Sequence, residues 1–319
     1  MPGAGPGVTK TRSNATPTSP ISFWDAFVLI QQLVNGLTLG AVYTLIALSF
    51  SLVMGVLGVL NLAIAELFML GGYFGFAILL ARLPLPVALV AGMAGAALVA
   101  AIVERIGYQP FRGAPVVTPM LSTLGFSIIL QNVATNVWGS DPLQLSDEVL
   151  SGRFNIGPAS ISAIQLVVLS VTVLLVASLA FLVQQTSIGR ALRAVAENRD
   201  VARLLGVPAG RITLIAFMLS GSLAGAAGVL IGVHYAAITP YIGVEVGLKA
   251  IAVMVIGGTT RIWGSLIAGP LIGIVEVMTV AYVGSQIRDF VVYGLMILIL
   301  LLRPQGLLGS GRGDQSQRV

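Results

Sequence analysis

The chain reads as a succession of long apolar runs separated by short polar breaks. Runs nearly free of charge cover residues 27–54, 60–81, 86–103, 118–137, 162–184, 212–234, 247–258, 265–283 and 288–302. Most approach the twenty or so apolar residues that a helix needs to cross hydrocarbon. Unpaired backbone groups are costly in lipid, so each run is expected as an α-helix. Run 27–54 is long enough to hold a tilted helix plus a break, and run 247–258 is too short to cross unaided. The pattern predicts an all-α fold: a polytopic transmembrane helix bundle of eight to ten spans, with broken or half-length helices near its centre.

The polar breaks orient this bundle. If the runs alternate direction, Arg105, Arg112, Arg190, Arg193, Arg199, Arg203, Arg211, Arg261, Arg303, Arg312 and Arg318 share one side. Only Arg82, Arg153 and Arg288 fall on the other, which marks the first side, and the C-terminus with it, as cytoplasmic. Nine strict crossings leave Lys10 and Arg12 outside, a mild conflict that a broken first run would remove. Residues 1–22, rich in Pro, Gly, Ser and Thr, are expected as a disordered tail, 23–308 as the membrane domain and 309–319 as a C-terminal cytoplasmic tail.

Composition narrows the function classes. With 56% hydrophobic and 9% charged residues, there is too little charge to clothe a water-facing globule of this size. The net charge of +5 comes from arginines scattered between apolar runs, so membrane topology accounts for it and no nucleic-acid partner is expected. The absence of cysteine removes disulfides, thiolate metal sites and thiol catalysis. A single histidine, His234, at a run end gives little support to a metal site or a proton relay.

Small residues recur four apart at Gly36 and Gly40, Gly71 and Gly75, Gly221 and Gly225, Gly228 and Gly232, and Gly269 and Gly273, a spacing that lets helix backbones approach closely. A fainter echo relates Ala63-Ile64-Ala65 with Gly71-Gly72 to Ala250-Ile251-Ala252 with Gly257-Gly258. Glycine-interrupted spans in two halves point to a central pathway, and the biased composition also allows a chance match.

The stretch from 186 to 211 is polar yet filled with helix formers. Thr186 or Ser187 can cap its start, and Gly206 with Pro208 supplies a stop, so one cytoplasmic helix of four to five turns is expected. At 100° per residue, Ala191, Val195, Ala202 and Leu205 share one face, and Arg190, Arg193, Glu197 and Asp200 form a charged stripe elsewhere. Such a helix can rest on lipid headgroups or dock with a partner protein, and the mixed signs of charge suit a protein groove better. No Gly-x-x-x-x-Gly-Lys-Ser/Thr loop surrounds Lys10 or Lys249, so ATP hydrolysis by this chain through that motif is not expected.

Ionisable and amide side chains inside apolar runs are costly and should face the interior. Glu66 and Asn61 are candidates for lining a pathway, and a structural hydrogen bond is the plainer role. Glu276 has the same ambiguity. Lys249, beside Glu245, is expected to snorkel to the outer interface. Asn132 and Asn136 are expected to bond between helices, and Asp141, Asp147, Glu148 and Arg153 occupy the longest outer loop.

From Gln31 to Gly309 the chain resembles the LivH-type permeases of branched-chain amino acid ABC importers. The resemblance lies in Gln31-Gln32-Leu33-Val34-Asn35-Gly36-Leu37-Thr38-Leu39-Gly40, Glu104-Arg105 through Pro110-Phe111-Arg112, Gly189 to Val207, and Pro240-Tyr241-Ile242-Gly243. It continues in Gly257-Gly258 with Gly264-Ser265 and in Arg303-Pro304-Gln305-Gly306-Leu307-Leu308-Gly309. It implies a transport subunit, not an enzyme, in a bacterial inner membrane. The family's coupling helix maps onto Gly189, Arg190, Arg193, Ala196, Glu197, Asn198, Asp200, Leu204 and Gly206. Implied partners are two ABC ATPase subunits that bind the ATP, a second related permease, an extracytoplasmic solute-binding protein that could meet the outer loop, and membrane lipid. The expected pathway residues are Asn61, Glu66, Gly71, Gly72, Gly257 and Gly258.

Relatives often carry Asn-Phe-Ala-His-Gly where this chain has Asn61-Leu62-Ala63-Ile64-Ala65. The missing histidine and glycine keep urea, short amides and other amino acids open as solutes. An ion-coupled carrier using Glu66 or Glu276 would leave the cytoplasmic helix without a purpose, and an intramembrane enzyme would lack groups for chemistry.

Overall fold

Hydrocarbon admits helices because each helix satisfies its own backbone, and the apolar runs fold accordingly. The computed structural model describes residues 23–145, 153–156, 159–259 and 262–308. The expected tails at 1–22 and 309–319, together with Asp147 and Glu148, lie outside the described residues. In chain order the helices are α1 (Phe23–Leu57), α2 (Ile64–Leu80), α3 (Leu85–Ile102) and α4 (Val117–Trp138). Then come α5 (Ala163–Gln185), α6 (Ser187–Glu197), α7 (Arg199–Leu204), α8 (Ala209–Tyr235), α9 (Ile242–Gly257), α10 (Ile262–Tyr282) and α11 (Arg288–Leu302). Four short strands decorate one end: β1 (Leu143–Gln144) pairs antiparallel with β4 (Ala237–Ile238), and β2 (Arg153–Ile156) with β3 (Ala159–Ser162).

Among the described residues, seven helices are long and apolar enough to cross a membrane. The shorter α2 and α9, of 17 and 16 residues, sit in the middle of the bundle. Two expectations are corrected here. The first run is one unbroken helix of 35 residues, because no proline or helix-ending glycine interrupts it. The seventh begins five residues before its apolar run, since Glu245 is helical but too polar to register as apolar sequence.

Helices α1, α2, α8 and α9 supply most of the buried core, whereas α4, α5 and α11 expose most of their surface to lipid or partners. The inner layer has a reciprocal plan: α1 packs on α10, and α8 packs on α3. Both crossings use small residues. A Cβ at Gly40 would lie 2.6 Å from Pro270 Cα, and one at Gly225 would lie 2.5 Å from Gly92 O, so neither position has room for a side chain. Each triplet, α1–α3 and α8–α10, therefore holds a short helix between two long ones and exchanges its outer helices with the other triplet. The end of α1 at Val56 packs beside the start of α8 at Ala209 and Ile212, so the triplets run in opposite senses, the plan of an inverted repeat.

The Gly-Gly echo does not mark equivalent places in these triplets. Gly71 and Gly72 lie inside α2 against α8, whereas Gly257 ends α9 and Gly258 follows with φ +103°.

Candidate functional site

The polar segment after α5 folds back beneath the bundle as two helices. Thr186 caps α6 by accepting a hydrogen bond from the Gly189 N–H at 3.1 Å. At Asn198 the backbone becomes extended, and the side-chain oxygen accepts from the Asp200 and Val201 N–H groups, 3.0 Å each, to start α7. The single helix expected over this stretch is thus broken at an N-cap. Gly206, at φ +82°, ends α7, a backbone conformation that an L-residue with a side chain resists.

The break decides which side chains are presented. Leu192, Val195 and Ala202 are buried with Val56 of α1 and Ala209, Ile212 and Ala216 of α8. Leu205, expected on that face, is instead 77% exposed, because the kink turns α7 away from the register of α6. Of the nine residues expected to couple, Gly189 is buried, with no space for a Cβ beside the Val183 and Leu182 carbonyls at the end of α5. Arg190, Arg193, Ala196, Glu197, Asn198, Asp200, Leu204 and Gly206 are all exposed, Leu204 at 87%. Arg193 donates to the Val183 carbonyl, which ties α6 to α5.

Above α6 lies a cavity of about 360 Å³, lined by Leu48, Leu52 and Val56 of α1, Leu179 of α5, and Arg193 and Glu197 of α6. On its flank Arg112 donates to Glu104 at 3.1 Å. Burial, reinforced by the positive charge of Arg199, pulls the Arg112 guanidinium below its usual pKa, and Glu104 opposes that shift.

Within the bundle, Asn61 and Glu66 bracket the start of α2. Asn61 accepts from the Ala63 N–H at 3.1 Å and leaves its Nδ2 without a protein partner. The Ser127 hydroxyl of α4 donates to Glu66 Oε1 at 3.2 Å, and Oε2 has no hydrogen-bond partner among the described residues. Both side chains are buried and lie near the kink that joins α1 to α2. Gly71, Gly72 and Gly257 are occupied by close contacts: Gly71 with Gly225, Gly72 with Ile238 and Gly228, and Gly257 with Gly264.

The opposite end of the bundle holds the strongest electrostatics, and the sequence reading missed it. Lys249 is fully buried, with its Nζ 2.6 Å from Glu276, 3.2 Å from Asp289 and 3.6 Å from Glu245. Arg288 pairs with Glu245, and the Tyr43 hydroxyl donates to Glu276 Oε2 at 2.9 Å. The expected snorkelling of Lys249 is corrected: three carboxylates close around it, a cheaper solution than reaching for water. The signal available in sequence was Glu245 four residues before Lys249, with further charges at the ends of the next two runs. Asn132 and Asn136 also depart from expectation. They are exposed on α4 and donate at 2.8 Å to carbonyls four residues back in their own helix. Among the described residues no group of His, Asp and Glu is arranged to hold a metal.

Comparison with known proteins places this architecture. Residues 32–300 match the family model described as the branched-chain amino acid transport system / permease component. The chain is 36% identical over 294 residues to the high-affinity branched-chain amino acid transport system permease protein LivH of Escherichia coli K12, covering 88% of this chain and 95% of that protein. It is 37% identical over the same length to BraD of Pseudomonas aeruginosa, described as a permease protein of the same kind of system, again covering 88% and 95%. A probable LivH from Methanocaldococcus jannaschii is 30% identical over 243 residues, 71% of this chain and 74% of that one. A helix bundle with seven long apolar spans, matched by that family model along most of its length, belongs to the branched-chain amino acid transport permease family.

Proposed function

We propose that this chain is the transmembrane permease subunit of an ATP-driven ABC importer for branched-chain amino acids in a bacterial inner membrane. The observation that carries the coupling role is the surface of α6 and α7. One face is packed into the bundle, and the other offers Arg190, Arg193, Glu197 and Asp200 around Leu204 and Leu205. Two adjacent leucines this exposed, rimmed by charges of both signs, fit a partner's groove better than water or a uniformly anionic membrane surface.

The partner at that surface is an ABC ATPase, one of two in the assembly, and ATP binds there and not to this chain. A second related permease completes the pathway, and an extracytoplasmic binding protein delivers solute to the end that bears β1 to β4. The C-terminus and α6–α7 then face the cytoplasm, as the distribution of arginine supports. Force on α6 reaches α1 and α5 directly, because α6 packs on Val56 of α1 and is tied to the Val183 carbonyl of α5. Asn61 and Glu66 are assigned to the pathway; their unpartnered polar atoms support that role, since groups so costly in a membrane are kept for transport. Gly71, Gly72, Gly257 and Gly258 belong to the pathway's packed walls.

Uptake of labelled leucine and of urea into vesicles tests the reading, with this chain assembled with its ATPases, partner permease and binding protein. Leucine uptake that stops without ATP is expected. Urea uptake alone would move the substrate, and uptake driven by a proton gradient without ATPases would overturn the importer reading.

A further inference from the structure

The charges clustered around the buried Lys249 and Glu276 at the outer end of the bundle lie far from the ATPase-coupling surface. Lys249 and Arg288 stand against Glu245, Glu276 and Asp289, an excess of one negative charge held by α9, α10 and α11. Beside them opens a cavity of about 210 Å³, lined by Gln32 and Leu39 of α1, Glu276, Val277 and Val280 of α10, and Arg288 of α11. Glu276 lies six residues inside the outer end of α10, about 9 Å along the helix at 1.5 Å per residue.

The walls of this cavity divide by chemistry. Leu39, Val277 and Val280 make one side apolar, and the Glu276 carboxylate and Arg288 guanidinium, 3.9 Å apart, make the other charged. Each Glu276 oxygen accepts one hydrogen bond, from Lys249 and from Tyr43, whereas an ionised carboxylate offers about four acceptor positions. Arg288 donates to Glu245 through Nη2 and faces Asp289 through Nε at 3.5 Å, which leaves Nη1, 3.9 Å from Glu276, as its donor for an anion. Lys249 stands behind Glu276, fixing the carboxylate without reaching the cavity lining. The volume is well below the roughly 300–1,000 Å³ of sites for drug-sized ligands, which suits a small solute.

We infer that this cavity is an outer binding site for a small aliphatic α-amino acid. The carboxylate of the ligand meets Arg288, its ammonium meets Glu276, and its side chain lies on Leu39, Val277 and Val280. Charge-assisted hydrogen bonds at both ends select a zwitterion, and the excess negative charge sets which end enters toward α10. The inference rests on the import reading and adds to it a resting place for solute in the permease itself.

The test is photolabelling with a diazirine analogue of leucine, applied to the full complex in nanodiscs without binding protein and mapped by mass spectrometry. Label is expected within residues 32–39 or 277–281, and excess leucine should block it. Isoamylamine, which lacks the carboxylate, and 4-methylpentanoate, which lacks the amine, should each compete at least tenfold less well. Val280→Trp should cut labelling at least tenfold, with thermal stability of the complex as the folding control. Label confined to other residues, or isoamylamine competing as well as leucine, would overturn the site. ATP-driven leucine uptake without label here would sink the site alone, whereas ATP-driven uptake of urea without leucine would move the substrate of the import reading and sink this ligand with it.

Discussion

Charged residues gather at both ends of the bundle and behave in opposite ways. At the outer end Lys249 and Glu276 are buried and fixed to one another, with Tyr43 closing the second carboxylate oxygen. At the other end Arg190, Arg193, Glu197 and Asp200 project from α6 and α7, and among the described residues their only ion pair is the 3.8 Å one between Asp200 and Arg203. The same residue types are therefore matched within the chain at one end and left exposed at the other. What separates them is solvent: a buried charge must be matched within the chain, and an exposed one is free to be matched by a partner.

The contrast breaks most sharply at Lys249. Replacing it by Met leaves the buried Glu276 carboxylate without its ammonium partner, and removal of one partner from a buried pair costs about 3–5 kcal/mol. A large drop in the thermal stability of the detergent-purified protein is expected, with substantial recovery in the double variant Lys249→Met with Glu276→Gln. No recovery would mean that Lys249 acts through packing alone. A smaller effect follows at Asn198, whose side chain caps α7. Asn198→Ala should cost about 1 kcal/mol locally and raise hydrogen exchange in residues 199–204 while sparing the spans. The least effect on stability, within about 0.5 kcal/mol, is expected for Glu197→Arg and Leu204→Asp, which touch only exposed positions. Both should abolish co-purification of the ATPase, and retained association would place the coupling surface elsewhere.

Much of this architecture is legible in the apolar runs, because lipid forces helices wherever a run is long enough. The nine runs correspond to α1–α5 and α8–α11, and the glycines spaced by four mark real backbone crossings at Gly40 and Gly225. What stayed hidden depends on partners distant in sequence. Lys249 looks like an interfacial lysine until Glu276 and Asp289 arrive from other helices. The position of Leu205 follows from one residue: once Asn198 caps a new helix, the 100° count begun in α6 no longer applies to α7. That capping signal was present in Asn198-Arg199-Asp200, but helix propensity on either side concealed it. The cavity beside Glu276 could not be read at all, since Tyr235 of α8 joins residues of α1, α10 and α11 in its lining.

The uninterrupted α1 gives the two cavities a shared wall. Its 35 residues extend about 52 Å at 1.5 Å per residue, well beyond the roughly 30 Å of hydrocarbon. Gln32 borders the outer cavity and Val56 the inner one, and between them the helix is pinned to α10 at Gly36 and Gly40. One continuous helix, with no loop between, thus forms part of the wall of both chambers.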